Sequence, residues 1–251
     1  MANPSALLVV MAHPDDESMD CGGIIVRHTR AGVKTHLICA TYGEAGWTGK
    51  PPGARREDLA ERRAGELEQA AHALGLARVD LWDYPDGSVA VSDRQEITVR
   101  IWEEISRLRP RAVVSWGPDG GDGHQDHVAI GACTDAAVAA MAEGDRPALY
   151  HVAVDEKLAG FYRDAVRLGG GGTQPQLIPQ DRVDVVIELQ PDEVMMKLRA
   201  IDCHQSQLED WRIAIRKHPT LMRTGYGREP YIAVFTRFKV LTRRGLLGEF
   251  G

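Results

Sequence analysis

At 251 residues, with 43% hydrophobic and 26% charged side chains, the chain has the length and balance of a soluble α/β domain built on one core. A formal charge of −6 argues against nucleic acid as a partner, because phosphates need a basic face opposite them. The first apolar run stops at His13, with no lysine or arginine before it, too short for a signal peptide or a membrane span, so a cytoplasmic protein without a membrane partner is expected.

Short apolar runs then alternate with helix-length patterns. ALLVVMA (6–12) is a predicted strand running into His13, and GGIIVRHTRAG (22–32) a predicted helix with a glycine stop. KTHLICATYG (34–43) is a strand leading to Glu44, and REDLAERRAGELEQAAHALG (56–75) a helix with Leu59, Leu67, Ala70, Ala71 and Leu74 at helical spacing. VDLWDY (79–84) leads into PDG at 85–87, and RQEITVRIWEEISRLRP (94–110) is helical. RAVVSWG (111–117) runs into PDGGDGHQDH (118–127), and HVAIGACTDAAVAAMAEG (127–144) is a helix. After Tyr150 the pattern loosens, with GGGGTQPQ (169–176) as a flexible loop. RVDVVIEL (182–189) is then a strand, PDEVMMKLRAIDCHQSQLEDW (191–211) a helix and YIAVFTRF (231–238) a final strand. Cys21, Cys39, Cys133 and Cys203 are widely spaced without a CxxC pair and read as reduced, mostly buried thiols. The alternation predicts one α/β domain over 1–251 with a mainly parallel sheet, and in such sheets ligands bind outside the carboxyl ends of the strands.

Four predicted strands end in charge at that edge. The first loop offers His13, Asp15, Asp16 and Glu17, and the fourth offers His124, Asp126 and His127. A catalytic zinc takes three nitrogen or oxygen ligands and keeps a fourth position open, and HxxD at 13–16 with HxxH at 124–127 supplies candidates. A spacing of three turns two side chains towards one point, and Gly120, Gly121 and Gly123 allow a close approach. Carboxylates also suit a helix amino terminus, so PDDE has a capping role open to it as well. A bound divalent ion makes water acidic enough to attack an amide near neutral pH, and an uncoordinated carboxylate beside it takes the water proton. Spacing leaves open which of Asp15, Asp16 and Glu17 binds and which abstracts. Two histidines and a carboxylate accept Zn2+, Fe2+ or Co2+.

At these residues the chain resembles the LmbE-like, or PIG-L, family of zinc-dependent N-acetylglucosaminide deacetylases. AHPDDE with a trailing GG (12–17, 22–23) is similar to the first motif of that family, HQDH (124–127) to its second, and Lys197, Ala200, His204, Ser206 and Gln207 to its K-x-x-A-x-x-x-H-x-S-Q pattern. Weaker similarities are YGEAG (42–46), RAGEL (63–67) and PDG (85–87). The resemblance implies a Rossmann-like three-layer fold with a later part, after about 150, that varies with the substrate. It implies His13, Asp16 and His127 as zinc ligands, Asp15 as general base and His124 as a protonated group steadying the oxyanion. Asp126 would orient His124, and Arg63 and Asp86 would hold the sugar. It makes the protein a hydrolase removing an N-acetyl or other acyl group from an N-acetylglucosamine-type conjugate. The substrate would be a small molecule, and a homo-oligomer is compatible with this. An amidase on a larger sugar-thiol or antibiotic conjugate is the alternative within the fold. A sugar- or nucleotide-binding module is the alternative outside enzymes, although no GxGxxG follows a strand and no P-loop is present. Trp47, Trp116 and Tyr226 have the faces to stack on a sugar or to pack internally. Glu17 and Asp20 read as support or solvated charge, and Gly22 and Gly23 as a place where the first helix packs closely.

Overall fold

The computed structural model describes residues 6–48, 55–169, 177–207 and 216–236. Seven strands, β1 (Ala6–Met11), β2 (Lys34–Cys39), β3 (Arg78–Leu81), β4 (Ala112–Trp116), β5 (Ala148–Val152), β6 (Val185–Glu188) and β7 (Arg228–Phe235), form one sheet in the order β3-β2-β1-β4-β5-β7-β6. β3, β2, β1, β4 and β5 pair in parallel, and β7 runs against both β5 and β6. Every residue of β1, β4 and β5 is buried, as expected of strands covered on both faces, and β1 runs apolar without alternation.

Among the described residues there are seven α-helices: α1 (Asp16–Arg30), α2 (Leu59–Leu74), α3 (Arg94–Leu108), α4 (Gln125–Ala139), α5 (Glu156–Gly169), α6 (Pro191–Cys203) and α7 (Pro219–Gly225). α1, α2 and α6 pack together as one layer, and α3 and α4 as the other. Local chemistry sets their ends. Asp93 accepts from the Gln95 and Glu96 amides at the start of α3. At the start of α6, Pro191 occupies the first turn and Glu193 accepts from the Gln190 amide at 2.8 Å. α4 lies close on β4, because a Cβ at Gly131 would collide with the Trp116 carbonyl oxygen.

Gly22 and Gly23 do mark a close approach, and its partner was not foreseen. The Glu229 carboxylate, on β7, accepts the Gly23 and Ile24 amides at 2.7 and 2.8 Å and the Tyr231 hydroxyl at 2.9 Å. It also pairs with the buried Lys197 Nζ at 2.6 Å.

The sequence reading differs from the structure mainly after residue 140. β5 and α5 occupy the stretch where periodicity loosens, because ALYHV is short and Tyr150 and His151 interrupt its apolar run. α7 is a further short helix, and α6 stops at Cys203, where His204 caps it. α1 starts at Asp16 rather than Gly22, with Asp16 and Glu17 in its first turn. The expected loop at 170–176, the helix from 208 onward and the end of the last strand after 236 lie outside the described residues. Cys21, Cys39 and Cys133 are buried free thiols and Cys203 a partly buried one. Among the described residues no helix is long and apolar enough to cross a membrane.

Candidate active site

β1 and β4 are neighbours, with Leu7, Leu8 and Val9 opposite Ala112, Val113 and Val114. The chain leaves β1 towards β2 on one side and β4 towards β5 on the other, so a crevice opens between their carboxyl ends. The 12–15 loop and the 117–124 loop meet there. Gly120, Gly121 and Gly123 all have φ between 65° and 79°, the left-handed turn that lets the second loop fold back on His127.

His13 is buried, and its Nδ1 lies 3.1 Å from His127 Nε2. Its Nε2 faces Asp86 Oδ1 at 3.1 Å and Asp126 Oδ2 at 3.3 Å. His127 stacks flat on Trp116, with centroids 4.2 Å apart, and its Nδ1 donates to the Gly120 carbonyl at 3.0 Å with Asp122 Oδ1 at 3.3 Å. Asp16 Oδ2 accepts the Ala12 and His13 amides at 3.1 and 2.9 Å, while Oδ1 faces His127 Nε2 at 3.5 Å.

Carboxylates and carbonyls only accept, so the outward nitrogen of each ring carries its proton. With both rings neutral, the inward nitrogens, His13 Nδ1 and His127 Nε2, would present two lone pairs to each other at 3.1 Å beside a carboxylate. That arrangement is repulsive unless a cation or a proton lies between. The separations of 3.1 Å between His13 Nδ1 and His127 Nε2 and of 3.5 Å between His127 Nε2 and Asp16 Oδ1 lie on either side of the roughly 3.3 Å edge of a tetrahedral site with bonds of about 2.0–2.1 Å. The residues therefore fit a divalent metal. His13, His124 and His127 also bring ligand atoms within 4.8 Å of one another, as do His13, Asp86 and Asp126.

Asp15 stands beside this group. It is the N-cap of α1 with φ 118°, and its Oδ2 accepts from Arg63 at 3.2 Å. Burial pushes its carboxyl up to about 6 although Arg63 pulls the other way. Burial acts on Asp16 as well, but the charges and hydrogen bonds of His127 and His13 hold it far below the usual carboxylate range. Burial lowers His13, yet Asp126, Asp86 and Asp16 outweigh that and bring it up to about 9. His124 caps α4, and its Nδ1 accepts the Asp126 amide at 3.2 Å, which leaves the ring proton on Nε2. Burial, with His13 and His127 nearby, holds His124 below its ordinary value.

The other expected residues all lie at the crevice, with partners the sequence did not indicate. Asp126 meets His124 through its amide, which donates to His124 Nδ1, while its carboxylate has other partners. That group accepts from Gly87 and Val89 at 2.7 and 2.9 Å and faces His13. Asp86 bonds His13 and the Ala45 amide. Arg63 is 4% exposed and donates to the Gly43 and Pro14 carbonyls at 2.7 and 2.5 Å, so it braces the Asp15 turn from inside. Of the three aromatics, Trp116 lies under His127 and Tyr226 is buried, while Trp47 is 40% exposed. Sequence reasoning passed over Asp122, whose only signal was its place between glycines beside HQDH, and left the partner of Glu17 unassigned. Glu17 is fully buried against His204 Nε2 at 2.8 Å.

Residues 8–138 match the family model described as PIG-L, GlcNAc-PI de-N-acetylase. The 1D-myo-inositol 2-acetamido-2-deoxy-α-D-glucopyranoside deacetylase of Kineococcus radiotolerans is 31% identical over 254 residues, covering 82% of this chain and 69% of that one. Among solved structures, GalB, the 4-carboxy-2-hydroxymuconate hydratase of Pseudomonas putida KT2440, superposes with a TM-score of 0.67 at 21% identity, over 94% of this chain and 98% of that one. The N,N'-diacetylchitobiose deacetylase of Pyrococcus horikoshii superposes with a TM-score of 0.63 at 22% identity, over 93% and 86%. At these identities the two structures attest the fold, which carries a hydratase in one case and a deacetylase in the other.

Proposed function

The chain belongs to the PIG-L (LmbE-like) family, and on that premise we propose that it is a metal-dependent N-deacetylase that hydrolyses the acetamide of an N-acetylglucosamine conjugate to acetate and a free amine. The observation that carries this reading is the pair of ring nitrogens, His13 Nδ1 and His127 Nε2, that face each other at 3.1 Å next to Asp16, with the separate carboxylate of Asp15 alongside. His13 Nδ1, His127 Nε2 and Asp16 Oδ1 would hold the metal, with Zn2+ as our assignment. When bound, the ion supplies Lewis acidity, which polarises the acyl oxygen and acidifies water.

The remaining steps belong to the protein. Asp15 accepts the proton of the attacking water, a task suited to a carboxyl raised to about 6. As the C–O bond forms, negative charge gathers on the acyl oxygen, and the Nε2–H of His124 is placed to donate to it. The C–N bond then breaks, and the proton taken by Asp15 passes to the departing nitrogen. Asp86 and Asp126 accept from His13 Nε2–H, which fixes the tautomer that directs its Nδ1 inward. Arg63 holds the Asp15 carboxylate and backbone in place.

The test is a set of N-acetylglucosaminides with different aglycones, beginning with the inositol, read as acetate and free amine. Activity lost on chelation and restored by Zn2+, Fe2+ or Co2+ is the expected result. Full turnover in metal-free protein overturns the reading. Binding without amine release from any glycoside identifies a binding module instead. Release only of a bulkier acid moves the assignment to an amidase on larger conjugates.

A further inference from the structure

The left-handed conformation of Asp15 is costly for a residue with a Cβ, and it persists only where neighbours over-determine it. Two groups do so. Arg63 bonds the Pro14 carbonyl and the Asp15 carboxylate, and Glu17 Oε2 accepts the Asp15 amide at 3.0 Å. The other oxygen of Glu17 accepts the Ser18 hydroxyl at 2.5 Å and His204 Nε2–H at 2.8 Å. His204 comes from the end of α6, is fully buried, and its Nδ1 has no hydrogen-bond partner among the described residues. A buried carboxylate and imidazole with an orphaned nitrogen hold a fold together less well than apolar side chains of the same shape. Stability alone therefore does not account for the pair.

The same turn makes two more links around Asp15. Ser206 donates from its amide and hydroxyl to Glu66 at 2.9 and 2.7 Å, and Glu66 lies one helical turn beyond Arg63 on α2. Gln207 grips both the amide and the carbonyl of Trp47, at 3.0 and 2.7 Å. The 43–47 loop held in this way begins at Gly43, whose carbonyl receives Arg63. A turn of four residues thus reaches the start of α1, α2 and the 43–47 loop.

We propose that the His204–Gln207 turn is the positioning element for Asp15, with His204 and Glu17 as positioning residues that fix its main chain and so aim its carboxylate into the crevice. This rests on the reading of Asp15 as the base. Neither residue touches substrate. Small errors in the placement of a reacting group cost up to about 100-fold in rate, so the effect belongs in kcat rather than KM.

His204→Asn and His204→Gln separate position from bulk. The Gln amide places its N–H near the imidazole Nε2, and the Asn amide near Nδ1. His204→Asn is expected to lower kcat by about 10- to 100-fold with KM within about twofold, and His204→Gln to stay near the parent. Metal content by elemental analysis is unchanged in both, and the amide resonance of Asp15 in labelled protein moves in His204→Asn but not in His204→Gln. Should His204→Asn fail to fold, Ser206→Ala is expected to lose about three- to tenfold in kcat alone. Asp15→Asn separates the base from the element that positions it. Parent kcat in His204→Asn and Ser206→Ala, with turnover lost in Asp15→Asn, overturns the positioning role and leaves the base standing. Turnover retained in Asp15→Asn removes the base reading and this proposal with it. A further loss of kcat on adding His204→Asn to Asp15→Asn shows an effect not exerted through Asp15, and overturns the proposal as well.

Discussion

Asp15 and Asp16 are adjacent carboxylates in one turn, and burial raises the proton affinity of both. They diverge because Asp16 faces two imidazoles and two backbone amides, while the strongest partner of Asp15 is a single guanidinium. Asp15 is expected to lose nearly all turnover as either Ala or Gly, but the two variants should differ in stability. Gly accepts φ 118° without a Cβ penalty, so Asp15→Gly should be about 1 kcal/mol more stable than Asp15→Ala in urea titrations. At this scale the sequence identified residues by spacing, since HxxD and HxxH place side chains within one turn. The partners it did not reveal, Asp126 to His13 and His204 to Glu17, join segments 113 and 187 residues apart, where spacing carries no information.

Helix α4 carries His127 in its first turn and Gly131 in the next, against the Trp116 carbonyl. Helix propensity favours Ala at position 131. Packing opposes it, and packing is the larger effect. Gly131→Ala is expected to destabilise by about 1–3 kcal/mol through overpacking and to reduce turnover by displacing the helix that holds His127, both read on one preparation by urea unfolding and acetate release. α1 gives a pH prediction. Its His28 is fully buried, and burial lowers its pKa to about 4 from an ordinary 6.5. The unfolded chain therefore takes a proton that the folded chain refuses. Stability from this residue is complete above about pH 6.5 and falls as the pH drops towards 4, by up to ~3 kcal/mol. His28→Asn should lose less stability over that interval than the parent in urea midpoints measured across pH. The glycine stop of α2 made that helix end readable. The start of α1 was not, because its first turn is built from the same carboxylates that form the site.

Across the whole molecule, the half up to α4 was legible because short strands there alternate with helix-length patterns in chain order. The later part was less so, since β7 runs antiparallel and inserts between β5 and β6, an order that no local pattern encodes. What ties β7 to the rest is Glu229, whose carboxylate reaches two amides inside α1 and meets Lys197 from α6. Lys197→Met leaves that carboxylate buried without its counter-charge and is expected to cost about 3–5 kcal/mol in denaturant unfolding. Arg30→Met, which breaks the exposed pair with Asp192, should change little in the same measurement.

The pairing of β1 with β4 also sets an order in time. His13 and His127 are 114 residues apart and meet only once the two central strands lie side by side. Helices form in about a microsecond, whereas non-local strand pairing is slow. In refolding from denaturant, circular dichroism should therefore recover before the capacity to bind metal. On the ribosome the first histidine emerges long before its partner, and a chain halted short of α4 holds half a site with nothing to close it.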